Sequence, residues 1–269
     1  MKRSCVAGAV LTCVLAGSAM AADMPLKAPM PRVVSDWTGF YIGVHGGYGW
    51  ARPSISDLDL NQQGMLNRFG ADPRVLSLHA PKLMGGVFGG HAGYNWQWGQ
   101  RGVVGLEVDY SAADIKSTQR AIFDRADSNG DVDARTLTAR LDSLASARAR
   151  VGFLLGPDFL LYGTGGAAWG HTSFTNTIAL HGLESDRSVV SRASANHFGW
   201  VVGAGAEWKL LNSGLLLRAE YLHYGFGSAS LPFGSTGNID GIIFKGTDFN
   251  VPLGRLTTDV VRGGVSYKF

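Results

Sequence analysis

The sequence predicts an all-β protein, an eight-stranded antiparallel transmembrane up-and-down β-barrel. Three observations support this fold class. Eight segments alternate apolar and polar residues with the period of two that is typical of strands. Short turns alternate with long polar connections, and the chain ends on an apolar, aromatic strand. This last strand, 257–269, carries Val261, Val265, Tyr267 and Phe269 on one face. Because an unpaired apolar edge would aggregate, we expect it to close a barrel against the first strand.

The beginning of the chain is typical of an exported protein. Lys2 and Arg3 precede a short apolar run, and small residues follow it up to Ala21. This pattern predicts a cleaved signal peptide over residues 1–21. The apolar run is too short for a spanning helix, which needs about 20 residues. The proline-rich residues 22–36 are expected to form an extended periplasmic linker, which leaves 37–269 for the barrel.

Composition excludes several classes of function. Both cysteines, Cys5 and Cys13, fall in the expected signal peptide, so the mature chain should contain no disulfide and no cysteine metal site. Removal of Lys2 and Arg3 lowers the formal charge from +3 to +1, which provides no strong electrostatic basis for binding nucleic acid. A glycine count of 38 with only 9 prolines suits an all-β protein rather than a collagen-like chain.

Each predicted strand sets an apolar face against a polar or glycine-rich face. In the first strand, Phe40 and Ile42 share one face, and Tyr41 and His45 share the other. The apolar faces end in aromatic residues like those at membrane interfaces, whereas the polar faces carry charges of both signs. We therefore expect the apolar faces to meet lipid, although a soluble β-sandwich or lipocalin would also alternate, with its apolar face inward. The predicted strands cover about 38–51, 83–98, 102–113, 137–155, 159–171, 197–211, 214–226 and 257–269.

The connections alternate in length, as they do in outer-membrane barrels. The three short turns at 99–101, 156–158 and 212–214 contain glycine, proline, asparagine or aspartate. They are expected to be periplasmic, and both chain termini should lie at the same end. Pro157 interrupts an apolar stretch of twenty residues, which argues for two strands there rather than a spanning helix. The four long connections, expected to be extracellular loops, are 52–82, 114–136, 172–196 and 227–256.

Charged residues on the polar faces are the main candidate site. The interior of an eight-stranded barrel is just wide enough for side chains to fill. Buried charges are tolerated when they are paired, so we expect an ion-pair network that plugs the lumen. The alternative is a network that rearranges to open a narrow ion pathway. The nine predicted members are Glu107, Asp109, Arg148, Arg150, Glu207, Lys209, Arg218, Glu220 and Arg262.

Two further groups of residues resemble ligand sites only weakly. His45 and His91 fall on the polar faces of adjacent strands and could approach one another to hold a metal or haem. Without a third ligand, filling of the lumen is the favoured role. The segment around Gly130 is rich in acidic residues, but its spacing does not match an EF-hand, which favours a solvated loop over a weak calcium or lipopolysaccharide-bridging site. Its polar residues are Asp124, Asp127, Asn129, Asp131 and Asp133.

Catalysis has little support in the sequence. A hydrolase needs a nucleophile, a base and an orienting group that converge. His223 with Ser228 or Ser230, near the top of the seventh strand, is the only hint. We expect no enzymatic activity, no catalytic residue, no resident metal and no cofactor.

The chain resembles the outer-membrane immunogenic proteins, or surface antigens, of alphaproteobacteria, within the OmpA-like superfamily of eight-stranded barrels. It departs from their pattern at His91, where glutamine is common, and in its long loops. The matching stretches are W-T-G-F-Y-I-G at 37–43, G-G-H-A-G-Y-N-W-Q at 89–97, G-L-E-V-D at 105–109, A-R-A-R-V-G at 147–152, Y-G-T-G-G-A-A-W-G at 162–170, G-A-G-A-E-W at 203–208, R-A-E-Y at 218–221 and Y-K-F at the end.

The resemblance implies a monomer in the outer membrane of a Gram-negative cell, surrounded by outer-membrane lipid and lipopolysaccharide. It also implies that the barrel-assembly machinery recognises the last strand through Val265, Tyr267 and Phe269. The expected function is that of a structural barrel and surface antigen whose exposed loops support envelope integrity or surface interaction. A small, low-conductance, porin-like channel is the alternative.

Overall fold

The computed structural model describes residues 36–53, 82–124, 132–181, 186–210, 213–239, 242–245 and 249–269. The expected signal peptide, residues 22–35 of the linker and most of the first long connection lie outside these ranges. Every regular element within them is a β-strand. No helix among the described residues is long and apolar enough to cross a membrane.

Eleven strands are present among the described residues. They are β1 (Gly39–Pro53), β2 (Leu83–Trp98), β3 (Gly102–Asp124), β4 (Val132–Leu154), β5 (Phe159–His181), β6 (Asp186–Lys209), β7 (Leu215–Phe226), β8 (Ala229–Ile239), β9 (Ile242–Lys245), β10 (Phe249–Leu253) and β11 (Leu256–Lys268).

Eight of these strands close into one antiparallel ring. Strands β1 to β7 follow one another around it, and β11 pairs with both β7 and β1. In the closing pair, Tyr41 lies opposite Lys268 and Val44 lies opposite Val265. This confirms the predicted fold class and the predicted closure of the last strand against the first.

The ring closes with a stagger along its strands. Paired residues followed around the ring from Gly43 return to β1 at Pro53, ten residues further along. A stagger of this size over eight strands tilts them by about 40° to the barrel axis. The resulting interior is narrow enough for side chains to fill.

The apolar faces of the strands point outward. Phe198 and Phe269 are 75% and 74% exposed, whereas Glu107 and Arg218 are 3% and 4% exposed. A soluble barrel would place these two classes of residue the other way round. The outer surface is therefore suited to lipid, as the sequence predicts.

Exposed aromatic side chains mark both ends of the apolar surface, which is typical of the two interfaces of a membrane. The group near the short turns contains Phe40, Trp96, Trp98, Phe153, Phe159, Trp208, Tyr267 and Phe269. The group towards the other end contains Tyr48, Phe88, Tyr110, Phe198 and Trp200.

Three of the four predicted long connections contain less loop than predicted, because strands continue through most of 114–136, 172–196 and 227–256. The β3–β4 ladder reaches Asp124 and Val132, and the β5–β6 ladder reaches His181 and Asp186. Beyond the apolar belt the outward-facing residues are polar, such as Asp114, which is bonded to Lys116 at 3.0 Å. Alternation then no longer marks a strand, although the hydrogen-bond ladder continues.

The last predicted loop, 227–256, is also largely strand. Strand β8 pairs with the outer part of β6, between Arg187 and Arg192, and strands β9 and β10 pair with β8. The sheet therefore extends beyond the apolar belt on this side of the ring. The described short turns agree with prediction, and in two of them a glycine adopts positive φ, +65° at Gly99 and +130° at Gly156.

Candidate functional site: the filled lumen

The centre of the lumen holds equal numbers of buried acidic and basic side chains. Eight of the nine predicted residues lie there, so the layer is formally neutral. Such burial is tolerable when every charge is paired. The acidic members are Glu107, Asp109, Glu207 and Glu220, and the basic members are Arg148, Arg150, Arg218 and Arg262.

The strand register brings opposite charges face to face. Glu107 on β3 lies opposite Arg148 on β4. Glu207 on β6 likewise lies opposite Arg218 on β7. Inward-facing residues on paired strands are the closest neighbours in a sheet, so these pairs follow directly from the period-two pattern.

Glu107 is the acidic centre of the network. Its carboxylate contacts Arg148, and it also contacts Arg218 at 2.5 Å and Arg150 at 3.3 Å. The hydroxyl of Tyr41 donates a hydrogen bond of 2.7 Å to the same carboxylate. Three guanidinium groups therefore contact one carboxylate closely, and each of the three needs a second acidic partner. A fourth, Arg262, lies 3.9 Å from the same carboxylate.

The other carboxylates supply those second partners. Arg150 Nη2 lies 2.8 Å from Glu207 Oε2. Arg148 Nη1 lies 3.0 Å from Glu220 Oε1. Arg262 bridges Glu220 at 2.7 Å and Asp109 at 2.9 Å. The contacts form one connected network across five strands.

Lys209 is not brought into this network. It lies two residues beyond Glu207 at the end of β6, where its backbone N–H donates to the carbonyl of the turn residue Asp158 at 2.8 Å. Lys209 has the same parity along β6 as Glu207, but its position along the barrel axis places it beside the periplasmic turn.

Small inward-facing residues make room for the large ones. A Cβ atom on Gly93 would lie 2.3 Å from the hydroxyl of Tyr41, and one on Gly205 would lie 2.5 Å from the hydroxyl of Tyr162. Arg150 in turn lies over the ring of Tyr162, 4.1 Å from its centroid. The glycines on the polar faces therefore serve the packing of the lumen.

Apolar layers lie above and below the charged layer, and the sequence reasoning missed both. The signal for them is a run of consecutive apolar residues, such as Leu215–Leu217, in which the inward position is also apolar. The layer on the periplasmic side contains Trp37, Val103, Leu154, Leu160 and Leu216. The layer on the outer side includes Ile115, Leu141, Leu144, Leu222, Tyr224 and Phe226.

Trp37 helps to close the periplasmic end. Its indole N–H donates to the carbonyl of Pro157 at 3.1 Å, and its backbone N–H donates to the side chain of Gln97 at 2.9 Å. Just before it, the backbone N–H of Thr38 donates to Asp36 at 2.8 Å, and this bond lowers the pKa of the Asp36 carboxyl. The residues that lead into β1 are thus fixed across the mouth of the barrel.

His45 and His91 meet in the lumen, as their positions on adjacent strands suggested. Their Nδ1 atoms are 3.1 Å apart. This distance is that of a direct hydrogen bond between the two rings. No group of three potential metal ligands occurs among the described residues.

The neighbours of the two imidazoles define their tautomers. Arg262 can only donate, and its Nη1 atom lies 3.2 Å from His45 Nε2, which must therefore accept. His45 then carries its proton on Nδ1 and donates to His91 Nδ1. The proton of His91 lies on Nε2, where Ser266 Oγ accepts it at 2.7 Å.

The predicted catalytic hint at His223 has a different geometry. His223 Nδ1 lies 2.6 Å from Asp259 Oδ1, and the hydroxyl of Tyr221 donates to the same oxygen at 2.6 Å. All three side chains are on the outer wall. Ser228 has no described contact with His223, and the side chain of Ser230 lies outside the described residues, as do the side chains of the acidic segment 124–133.

The predicted assembly residues lie on the outer surface at the end of β11. Val265 and Tyr267 are exposed, and the ring of Tyr267 packs edge-to-face against that of Phe269 at 5.1 Å. The backbone N–H of Phe269 donates to the carbonyl of Phe40 at 2.9 Å, which extends the closing ladder to the last residue. Recognition of this strand stays a prediction.

Comparison with known proteins agrees with this architecture. The chain is 28% identical over 269 residues to the 31 kDa outer-membrane immunogenic protein of Brucella melitensis, covering 97% of this chain and 98% of that protein. It is 26% identical over 255 residues to the 25 kDa outer-membrane immunogenic protein of Brucella abortus, covering 94% and 90% of the two chains.

Two solved structures are among those to which the chain is similar. Neisserial surface protein A matches at 15% identity with a TM-score of 0.39, covering 86% of this chain and 98% of that chain. The attachment invasion locus protein Ail of Yersinia pestis matches at 13% identity with a TM-score of 0.36, covering 86% and 99%. The family model described as outer membrane protein beta-barrel domain matches residues 9–269. The chain therefore belongs to the outer membrane protein β-barrel family.

Proposed function

We propose that this protein is a structural barrel of the outer membrane, whose lumen is closed and whose outer parts form an exposed surface that supports envelope integrity or surface interaction. One observation carries the proposal: a neutral ion-pair layer lies between two apolar layers. Transport of ions requires a continuous polar path, and apolar constrictions exclude water from such a path.

Rearrangement of the charged layer is unfavourable because its ion pairs depend on one another. Each guanidinium contacts at least two carboxylates, so movement of one side chain leaves another charge buried and unpaired. An uncompensated buried charge costs several kcal/mol. This supports a permanent plug over a gate.

The exposed surface is the second part of the proposal. The relatives are named immunogenic outer-membrane proteins, which supports a surface-antigen role for this chain. The extensions of β3 to β6, together with β8, lie beyond the apolar belt and form the surface to which we assign this role. A non-enzymatic role, monomeric insertion among outer-membrane lipid and lipopolysaccharide, and recognition of β11 by the barrel-assembly machinery complete the proposal.

Electrical recording tests whether the lumen is closed. The purified full chain is inserted into a planar bilayer, with an open porin as positive control and bare bilayer as baseline. We expect no current steps beyond the baseline. Reproducible steps from the wild-type protein would contradict a closed lumen.

Loss of the protein tests the envelope role. Cells that lack it should become more sensitive to detergent and to bile salts, and the wild-type chain should restore resistance. Equal sensitivity with and without the protein would reject a contribution to integrity. Deletion of the β8–β10 region, assayed for cell binding in the same strain, tests the surface role separately.

A low-conductance channel is the second candidate, and one observation favours it. Buried donors such as Arg148 Nε and Arg218 Nε have no hydrogen-bond partner among the described residues, so water molecules could satisfy them. If current steps do occur, Glu107→Gln or Arg148→Gln should change conductance or ion preference. An identical record from both variants would place the ion pathway elsewhere.

A further inference from the structure

The outer wall carries a polar cluster where lipid-facing neighbours are apolar. His223 on β7 lies directly opposite Asp259 on β11, and Tyr221 is the preceding outward-facing residue on β7. One carboxylate oxygen accepts from both Tyr221 and His223, each at 2.6 Å. The next outward residue on β11 is Val261, which is half exposed. The lumen network does not involve these three side chains.

The cluster lies at the outer membrane interface. Asp259 is paired with Trp50 on β1, and the ring centroid of Trp200 lies 5.5 Å from that of His223. Tryptophan is the residue typical of the boundary between acyl chains and headgroups. Charged groups are unfavourable at the midplane of a barrel's lipid face and are tolerated near this boundary.

Arg52 adds a positive charge on the headgroup side. It is the next outward-facing residue after Trp50 on β1, it is exposed, and its charge acts on Asp259. The guanidinium group binds phosphate in a bidentate manner, unlike an ammonium group. Arg52 is therefore placed to bind an anionic group at the depth of the headgroups.

The hydrogen bonds leave one nitrogen of His223 available. Because Nδ1 faces Asp259, Nε2 points away from the carboxylate, and the side chain is 33% exposed. When both ring nitrogens carry a proton, Nδ1–H donates to Asp259 and Nε2–H is a second charged donor beside Arg52. Two cationic donors against one carboxylate favour an anion.

We infer that His223, oriented by Asp259 and Tyr221, forms with Arg52 a site on the outer wall that binds the phosphate of an outer-leaflet lipid headgroup. Trp50 and Trp200 border the site at the level where the acyl chains begin. The inference rests on the placement of the chain in the outer membrane and not on whether the lumen conducts.

The chain contains a matched control on another part of the wall. His171 Nδ1 bonds to Asn196 Oδ1 at 2.8 Å, and its ring stacks near Trp169 at 6.4 Å. This histidine also lies beside a tryptophan, but its partner is a neutral amide. His171→Gln should therefore leave binding of an anionic lipid unchanged.

The experiment measures lipid retention by native mass spectrometry of the full chain in micelles. The two probes are phosphatidic acid and diacylglycerol with identical acyl chains. We expect tighter binding of phosphatidic acid, and about a tenfold loss of that preference in Arg52→Gln and in His223→Gln, the effect of losing one charge-assisted hydrogen bond. Heat-modifiable migration in gels verifies that each variant is folded. Because the Arg52 side chain is exposed, we expect Arg52→Gln to fold like the wild type.

Three results would overturn the inference. They are equal affinity for the two lipids, wild-type preference in both variants, or an equal loss in His171→Gln. A further arm adds inorganic phosphate as competitor. Displacement of phosphatidic acid by micromolar inorganic phosphate would identify a site for the free anion and reject the lipid as ligand.

Discussion

At the scale of single residues, Glu107 is the centre of the charge balance in the lumen, because three guanidinium groups converge on its carboxylate. The alternation of inward and outward residues along each strand, its parity, made this residue and its partners predictable. The sequence could not identify Glu107 as the centre, since that depends on how eight strands are staggered. It also placed Lys209 in the network, because parity gives the face of a residue and not its depth.

Glu107→Gln should destabilise the barrel strongly. The change leaves buried arginines without their shared counter-charge, and removal of one partner of a buried ion pair costs about 3–5 kcal/mol. Urea unfolding in lipid vesicles measures the effect. Asp114→Asn is the control, because Asp114 forms only exposed pairs with Lys116 and Arg140, and it should not shift the transition. A Glu107 variant as stable as the control would contradict the role assigned to the network.

The histidine pair should show two different neutral tautomers. We expect a proton on Nδ1 of His45 and on Nε2 of His91, which nitrogen-15 chemical shifts of the imidazoles report directly. Protonation of His91 would place its Nδ1–H against the Nδ1–H of His45. Protonation of His45 would place its Nε2–H against the guanidinium of Arg262. The unfolded chain binds protons at about pH 6.5 and below, so stability should fall as the pH falls through that range. Identical tautomers in both rings would contradict this arrangement.

At the scale of the strand, small residues on the inner face lie where large side chains from neighbouring strands need room. Gly93 and Gly205 lie where tyrosine hydroxyl groups need room. The sequence places glycines on the polar faces of the strands but does not indicate which side chain each one faces. It also missed the outer extensions of β3 to β6, because strands in water on both faces lose the alternation that identifies strands in lipid.

Gly93→Ala should cost about 1–3 kcal/mol, the usual penalty for overpacking. The added methyl group would lie 2.3 Å from the Tyr41 hydroxyl and 2.6 Å from the carbonyl oxygen of Leu106. Gly163→Ala is the matched change on the outer face, where the nearest atom would be 3.9 Å away. Urea transitions of the two variants should differ clearly. Equal stabilities would mean that the lumen can accommodate the methyl group.

Phe269→Ala should reduce the amount of protein in the outer membrane without preventing spontaneous refolding into detergent. The reason is that recognition of β11 is needed in the cell and not in the test tube. Phe198→Ala removes an equally exposed phenylalanine, 75% against 74%, far from the chain end. Quantitative blotting of membrane fractions compares them. Equal losses for both variants would remove the special role of the last residue.

At the scale of the whole molecule, the sequence pattern predicts the architecture of the barrel but not the contents of its two ends. The number of strands in the ring, its closure and the outward apolar face were predicted correctly, because lipid on one side and polar residues on the other impose a strict period of two. The apolar layers at either end of the lumen were not predicted, since there the inward residues are as apolar as the outward ones. Leu216 between Leu215 and Leu217 is an example.

Closure of the ring also completes the charge balance of the interior. Strand β11 supplies Arg262, the bridge between Asp109 and Glu220, and it bonds β1 along thirteen residue pairs. A chain that stops before β11 would hold four carboxylates and three guanidinium groups in its interior. Its interior becomes neutral only when β11 pairs with β1 and Arg262 reaches Asp109 and Glu220. A chain without β11 should therefore fail to form a stable barrel, because an acidic side chain would be left buried without its counter-charge.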